Sequence, residues 1–140
     1  MSANNSFPDN YVPNEDEEFM SERQQEYFKS MLSSWKDELL ADSKFTIEGM
    51  QKEAGNIPDI ADRASEESSR AVLLRTRDRQ RKLVAKIDQA LLRIENGEYG
   101  YCQATGQPIS LPRLIARPIA TMCLEAQERH ERDERVFRDD

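Results

Sequence analysis

Histidine occurs once in this 140-residue chain, cysteine twice and glycine five times. One histidine cannot supply a Ser/His/Asp or Cys/His constellation together with any further histidine ligand. Two cysteines do not make a secreted disulfide scaffold. None of the five glycines falls in a phosphate-binding loop, so no nucleotide-hydrolysing site of that type is expected. No apolar run reaches the length that spans a bilayer, and no secretory leader is expected. Only 37% of residues are hydrophobic, a thin supply of core for one globule of this length. These absences predict a soluble cytoplasmic protein, with part of its length elongated or disordered and no independent enzymatic activity.

What the sequence does contain is charge. Charged residues make up 34% of the chain and the net charge is −7, unevenly spread. The first twenty residues hold five acids (Asp9, Glu15, Asp16, Glu17, Glu18) and no lysine or arginine. Residues 70–93 hold eight bases against two acids. Bulk charge of this sign does not hold duplex DNA, because phosphate neutralisation needs a basic surface. A local basic stripe still suits an anionic ligand or an acidic protein.

The patterning predicts helices. Residues 1–20 lack periodicity and read as an acidic tail, disordered or loosely docked. Ser21 and Gln24 form a capping-box pattern, so a helix is expected to begin there. Phe28, Leu32, Trp35 and Leu39 then follow at spacings of four, three and four, the seam of a helix packed on another helix. Continued in register, the seam meets Asp42, Thr46, Gly49 and Glu53 and weakens. A second helical run over about 62–95 carries Leu83, Ile87, Leu91 and Ile94, with Val72 to Leu74 further from its strong end. Folded antiparallel, the two apolar ends meet. Arms of about 34 residues at 1.5 Å per residue would make a rod of roughly 50 Å. The expected organisation is a tail over 1–20, a coiled-coil hairpin over 21–96 with its tip at 55–64, a small globular region over 97–126, and a charged C-terminal helix and tail over 127–140. A generic oligomeric coiled coil is the competing reading of the two arms, but the proline-containing break supplies a turn between them.

That break reads GNIPDIADRASEE over 55–67. Pro58 disfavours helix at the residue before it, Gly55 offers a left-handed exit, and Asp59 or Asp62 starts the next helix. Capping and the helix dipole account for one aspartate and partly for the other. They do not account for a long arm whose seam is weakest at its far end.

Residues 99–126, YGYCQATGQPISLPRLIARPIATMCLEA, carry Cys102 and Cys123 in the frames C-x-x-T and C-x-x-A, 17 residues apart. A four-cysteine zinc ribbon would carry thiolates at Thr105 and Ala126 as well. The segments PDIADRA, RDRQRKLVAKI (77–87), GEYGYC (97–102) and RLIARPIATMC (113–123) occur in order, and with them the chain resembles the DksA/TraR family of bacterial RNA polymerase-binding transcription factors. The resemblance runs from about Ser21 to the C-terminal helix.

The resemblance implies a mainly α fold: a long antiparallel coiled-coil hairpin, a small zinc-finger-like globular domain and a C-terminal helix. It implies a regulator that enters the secondary channel of RNA polymerase and reads no DNA sequence. With the alarmone ppGpp, such proteins destabilise open promoter complexes, lowering ribosomal RNA transcription and raising some biosynthetic promoters. The tip motif D-x-x-D-x-A falls on Asp59, Asp62 and Ala64, which the resemblance makes the activity residues. Arg75, Arg79, Lys82 and Lys86 share one helix face. As a solvated face they would pair with acids of the first arm such as Glu38 and Glu48; by resemblance, Arg75, Arg79, Leu83, Lys86 and Arg117 serve polymerase or ppGpp contacts. Clustered guanidinium and ammonium groups suit a polyphosphate. A monomer is expected.

Two departures stand out. Where family members often carry a ppGpp-contacting lysine after the last finger cysteine, this chain has Gln127, so weaker ppGpp coupling is expected. Thr105 and Ala126 cannot replace thiolates. Zinc is therefore expected to be absent, and Ile109, Leu111, Leu114, Ile115, Ile119 and Met122 are expected to hold the region by packing. A structural zinc contributes roughly 10–16 kcal/mol in small finger peptides, so losing two ligands removes most of that. If the finger fold is kept, Cys102 and Cys123 remain neighbours, as buried reduced thiols or, under oxidation, as a disulfide. His130 is a lone histidine on a charged helix, expected to be solvated. Two other classes stay open. A Gre-type transcript cleavage factor uses adjacent tip acids to hold magnesium, whereas Asp59 and Asp62 are three apart and Arg63 follows. A plain coiled-coil adaptor would be indifferent to tip substitution.

Overall fold

The computed structural model describes residues 11–53 and 60–139. Four helices follow one another: α1 (Glu22–Glu53), α2 (Ile60–Glu95), α3 (Leu111–Ala116) and α4 (Leu124–Asp139). Among the described residues the only β pairing is a single antiparallel bridge, Tyr101 with Pro108. No helix among them is long and apolar enough to cross a membrane. The chain divides into two compact units, one of residues 1–32 with 89–140, the other of residues 33–88.

The first unit holds the fully buried side chains Phe28, Leu32, Ile109 and Leu114. Met20, Ala90, Ile94, Tyr99, Cys102, Leu111, Ile119 and Ala126 complete its apolar core. Phe28 meets Tyr27 and Tyr99, each at 5.4 Å between ring centroids. Such tilted and edge-on contacts place ring edges against faces of opposite partial charge. Of the six residues expected to pack the finger, Ile109, Leu111, Leu114 and Ile119 are buried, while Ile115 and Met122 are half-buried.

The second unit pairs the remaining lengths of α1 and α2. Lys36 Nζ lies 2.7 Å from Asp88 Oδ1, and Leu40 and Ser43 line one groove with Gln80, Arg81, Val84 and Ala85. Rising numbers on α1 thus meet falling numbers on α2, which makes the pair antiparallel. Leu39 and Ile87 are buried in the seam, and Trp35 and Leu83 are half-buried. Further along α2 the seam turns polar. Arg77 Nε and Gln80 Oε1 are buried without a hydrogen-bond partner, as is Glu66 Oε2.

Helix ends follow local chemistry. Ser21 Oγ accepts from the Gln24 amide at 3.3 Å, as a capping box requires. The reciprocal bond is displaced by one residue, because Gln24 Oε1 accepts from Met20 N–H at 2.8 Å. α2 ends in a Schellman turn: Gly97 takes φ +74°, and the Glu98 amide donates to the Arg93 carbonyl at 2.8 Å. α3, a short helix within the stretch expected to be a small globular region, is capped by Ser110 and carries Pro112 in its first turn, where a missing N–H costs nothing. The C-terminal helix, expected within residues 127–140, begins earlier, at Leu124.

Candidate functional site

The tip motif lies at the junction of α1 and α2. Asp59 is outside the described residues. Asp62 and Ala64 fall in the opening turns of α2, which starts at Ile60.

Further along α2, 13 to 24 residues beyond Asp62, Arg75, Arg79, Lys82 and Lys86 are all exposed. At 100° per residue the four Cα–Cβ directions fall within about 60° of arc, so the helix presents one basic stripe. Leu83 lies at the edge of that stripe, half-buried toward the seam. The apolar groove lined by Leu40, Val84 and Ala85 is on the opposite flank of the same helix pair. Arg117 belongs to the other unit. It caps the C-terminus of α3, its amide donating to the Arg113 carbonyl at 2.8 Å, and its side chain is exposed. Gln127 is half-buried and donates through Nε2 to Glu131 Oε1 at 3.1 Å. His130 is exposed on α4, Nε2 lying 3.0 Å from Glu134 one turn on.

The finger frames come together around one sulfur. Cys102 is 2% exposed, and both cysteines are free thiols. Burial pushes the Cys102 thiol up. Against it stand the Thr105 hydroxyl and the backbone N–H groups of Cys123, Thr105 and Ala104, all donating to the sulfur, and the balance lowers it from 9.0 to about 6. Hydrogen bonds to the charged form are the recognised route to such a depression. The turn that aims these donors is closed by Gly106 N–H to Cys102 O and Cys102 N–H to Gln107 O, both 2.8 Å. Thr105 Oγ1 also accepts from the Gln107 amide at 3.2 Å. The fourth finger position, Ala126, is 5% exposed and has become part of the core.

Three side chains tie the frames to their surroundings. Arg93 donates from one terminal nitrogen to the carbonyls of Glu98 (3.0 Å) and Tyr101 (2.9 Å). Tyr99 donates its buried hydroxyl to the Pro118 carbonyl at 2.7 Å, and burial pushes that phenol up. Arg113 Nε donates to the Met122 carbonyl at 2.9 Å, fixing the approach to Cys123. None of these roles is visible in the sequence as more than a polar residue near a turn.

Comparison with known proteins decides the family. Residues 24–94 match the family model of the DnaK suppressor protein DksA, N-terminal domain, and residues 97–132 match that of the prokaryotic dksA/traR C4-type zinc finger. The chain belongs to the DksA family. A relative from Caulobacter vibrioides, named RNA polymerase-binding transcription factor DksA, is 64% identical over 130 residues, covering 93% of this chain and 92% of the relative. The protein of the same name from Escherichia coli K12 is 40% identical over 111 residues, 79% of this chain and 74% of its own length. Among solved structures, transcription factor DksA2 from Pseudomonas aeruginosa superposes with a TM-score of 0.80 at 42% identity, over 88% of this chain and 93% of that one.

The C4 designation of the DksA finger does not fit the residues present here. Two of the four ligand positions are a hydroxyl and a methyl group, and the hydroxyl donates to the sulfur of Cys102. Among the described residues no group of three or more His, Cys, Asp or Glu side chains is placed to hold a metal. The arrangement can instead stabilise one thiolate by hydrogen bonds alone.

Proposed function

We propose that this protein is a non-enzymatic transcription regulator that binds RNA polymerase directly and reads no DNA sequence. The observation that carries the reading is its 64% identity, over nearly its whole length, to a protein named RNA polymerase-binding transcription factor DksA. The paired helices α1 and α2 enter the secondary channel, and the tip residues Asp59, Asp62 and Ala64 act near the polymerase active centre. Arg75, Arg79, Leu83, Lys86 and Arg117 contact polymerase or ppGpp, in keeping with the exposed stripe on α2. With ppGpp the protein destabilises open complexes, inhibits ribosomal RNA promoters and activates some biosynthetic ones. It works in the cytoplasm as a monomer. Gln127, held by Glu131, offers no ammonium to a phosphate, so ppGpp coupling is weaker than in relatives with lysine there. The finger needs no zinc, since Thr105 and Ala126 offer no thiolate.

The test is transcription in vitro from a ribosomal RNA promoter with cognate polymerase, comparing wild type with Asp62→Asn, with and without ppGpp. Inhibition that ppGpp enhances and Asp62→Asn abolishes, with polymerase binding kept, is the expected result. No inhibition by the wild type would move the reading to transcript cleavage or an adaptor role.

A further inference from the structure

Residues 14–20 are more closely fastened than an acidic tail needs to be, and everything that fastens them lies within the first unit. Gln24 is completely buried, an unusual place for an amide side chain unless both its ends are satisfied. Here both are: Oε1 accepts from Met20 N–H at 2.8 Å, and Nε2 donates to the Asn14 carbonyl at 3.2 Å. The next residue, Gln25, donates from Nε2 to the Met20 carbonyl at 2.7 Å. Met20 therefore has both backbone polar groups held by side chains from the first turn of α1. It needs that support, because it sits at φ +54°, where a residue with a side chain is disfavoured.

The forced backbone turn aims the Met20 side chain at the finger. Met20 is 8% exposed and covers Gly100, which takes φ +90°. A Cβ built on Gly100 would stand 3.1 Å from Met20 Cγ and Sδ, so the thioether occupies the place a side chain would fill. Beside it Phe19 packs edge-on against Tyr101, with centroids 5.5 Å apart. Gly100 and Tyr101 lead directly into Cys102, and the Gly100 carbonyl accepts from Ile109 N–H at 2.7 Å across the finger turn.

We propose that residues 14–20, latched by Gln24, are a built-in clamp that holds the finger turn closed over Cys102, the task a metal ion performs in a four-thiolate finger. The inference rests on the reading of this finger as zinc-free. In a metal-bound finger, closure comes from ligands inside the finger itself. Here it comes from a segment about eighty positions earlier in the chain, which sets Met20 against Gly100 and Phe19 against Tyr101.

The full-length protein tests this through the reactivity of Cys102 toward a small aromatic disulfide reagent, in a Cys123→Ser background, with metal content measured on the same samples. Met20→Gly removes the thioether and keeps a residue at ease with positive φ. Phe19→Ala removes the ring contact and no backbone bond, and is judged by the same criterion if Met20→Gly loses its helical circular dichroism. Metal-free protein whose Cys102 labels at least about tenfold faster in the variant, the change that about 1.4 kcal/mol of lost closure produces, supports the clamp. Metal-free protein whose labelling rises less than about tenfold over wild type overturns the clamp and leaves the zinc-free reading standing. One zinc per chain in protein purified with chelator overturns both.

Discussion

Replacing Tyr99 by phenylalanine removes one oxygen atom from the finger and nothing else. That oxygen donates to the Pro118 carbonyl at 2.7 Å, joining two points of the chain nineteen residues apart. Tyr99 is 3% exposed and Pro118 is buried, so water does not readily replace the lost donor. A buried acceptor left unpaired costs about 1–3 kcal/mol. The ring remains, and with it the packing on Phe28, so no cavity cost adds to this. The local reporter is the Ile109 amide, which donates to the Gly100 carbonyl at 2.7 Å within the same turn region. Its hydrogen-exchange protection should fall by about one to two powers of ten, the equivalent of that energy range. The phenol also gives a sign for alkaline pH. Its folded pKa is raised above its ordinary 10.0, so the stability it contributes is fully present below pH 10 and is lost as pH rises beyond it. Tyr99→Phe should thus lose stability at neutral pH yet show less alkaline destabilisation than wild type. Protection of Ile109 unchanged within about 0.3 kcal/mol would refute the reasoning, since the carbonyl would then be satisfied without the phenol.

Three further outcomes follow from the geometry. Gly100→Ala combines φ +90° with a Cβ 3.1 Å from Met20 and should destabilise the protein. The loss is about 1–3 kcal/mol in chemical denaturation, and Met20→Ala in the same chain should recover the steric part while leaving the backbone part. Thr105→Val deletes the hydroxyl donor to Cys102, so the thiol should titrate well above its present value of about 6 by ultraviolet thiolate absorbance. Because the folded thiol is lowered below its ordinary 9.0, its contribution to stability is complete above pH 9 and lost as pH falls through about 6; the gap between wild type and variant should open over that window and close below it. Gln80→Leu removes a buried acceptor that has no donor, and should raise the urea midpoint of the paired helices by the equivalent of about 1 kcal/mol, read by the fluorescence of Trp35.

The helical seam was legible because its signal is local. Phe28, Leu32 and Leu39 on one arm, and Ile87 and Ile94 on the other, follow helix spacing and are buried. Trp35, Leu83 and Leu91 follow it too and are half-buried, as expected at the flanks of a two-helix seam. The family motifs were equally readable, and the break expected at Pro58 lies outside the described residues. What stayed hidden depends on segments that meet only in three dimensions. Gln24 reads as a capping partner for Ser21, and nothing in its neighbours says that its amide will be buried between Asn14 and Met20. Arg93 reads as one more base in a basic run, whereas it ties two carbonyls of the following turn. Two missing cysteines were plain in the sequence, but the hydrogen-bond nest around Cys102 was not, since it is built largely from backbone amides that carry no residue signature.

The contact between Met20 and Gly100 also bears on the order in which the chain is made. Synthesis proceeds at about 5–20 residues per second, so Met20 leaves the ribosome some seconds before Gly100 is added. A finger closed by its own ligands must find an ion after its last cysteine emerges. On the proposed reading this one has its closing surface waiting, in the segment that leads into a helix already synthesised. If the finger takes no zinc, the step that remains is a long-range encounter rather than a capture from solution, and its speed is set by chain topology, not by the cell's supply of metal.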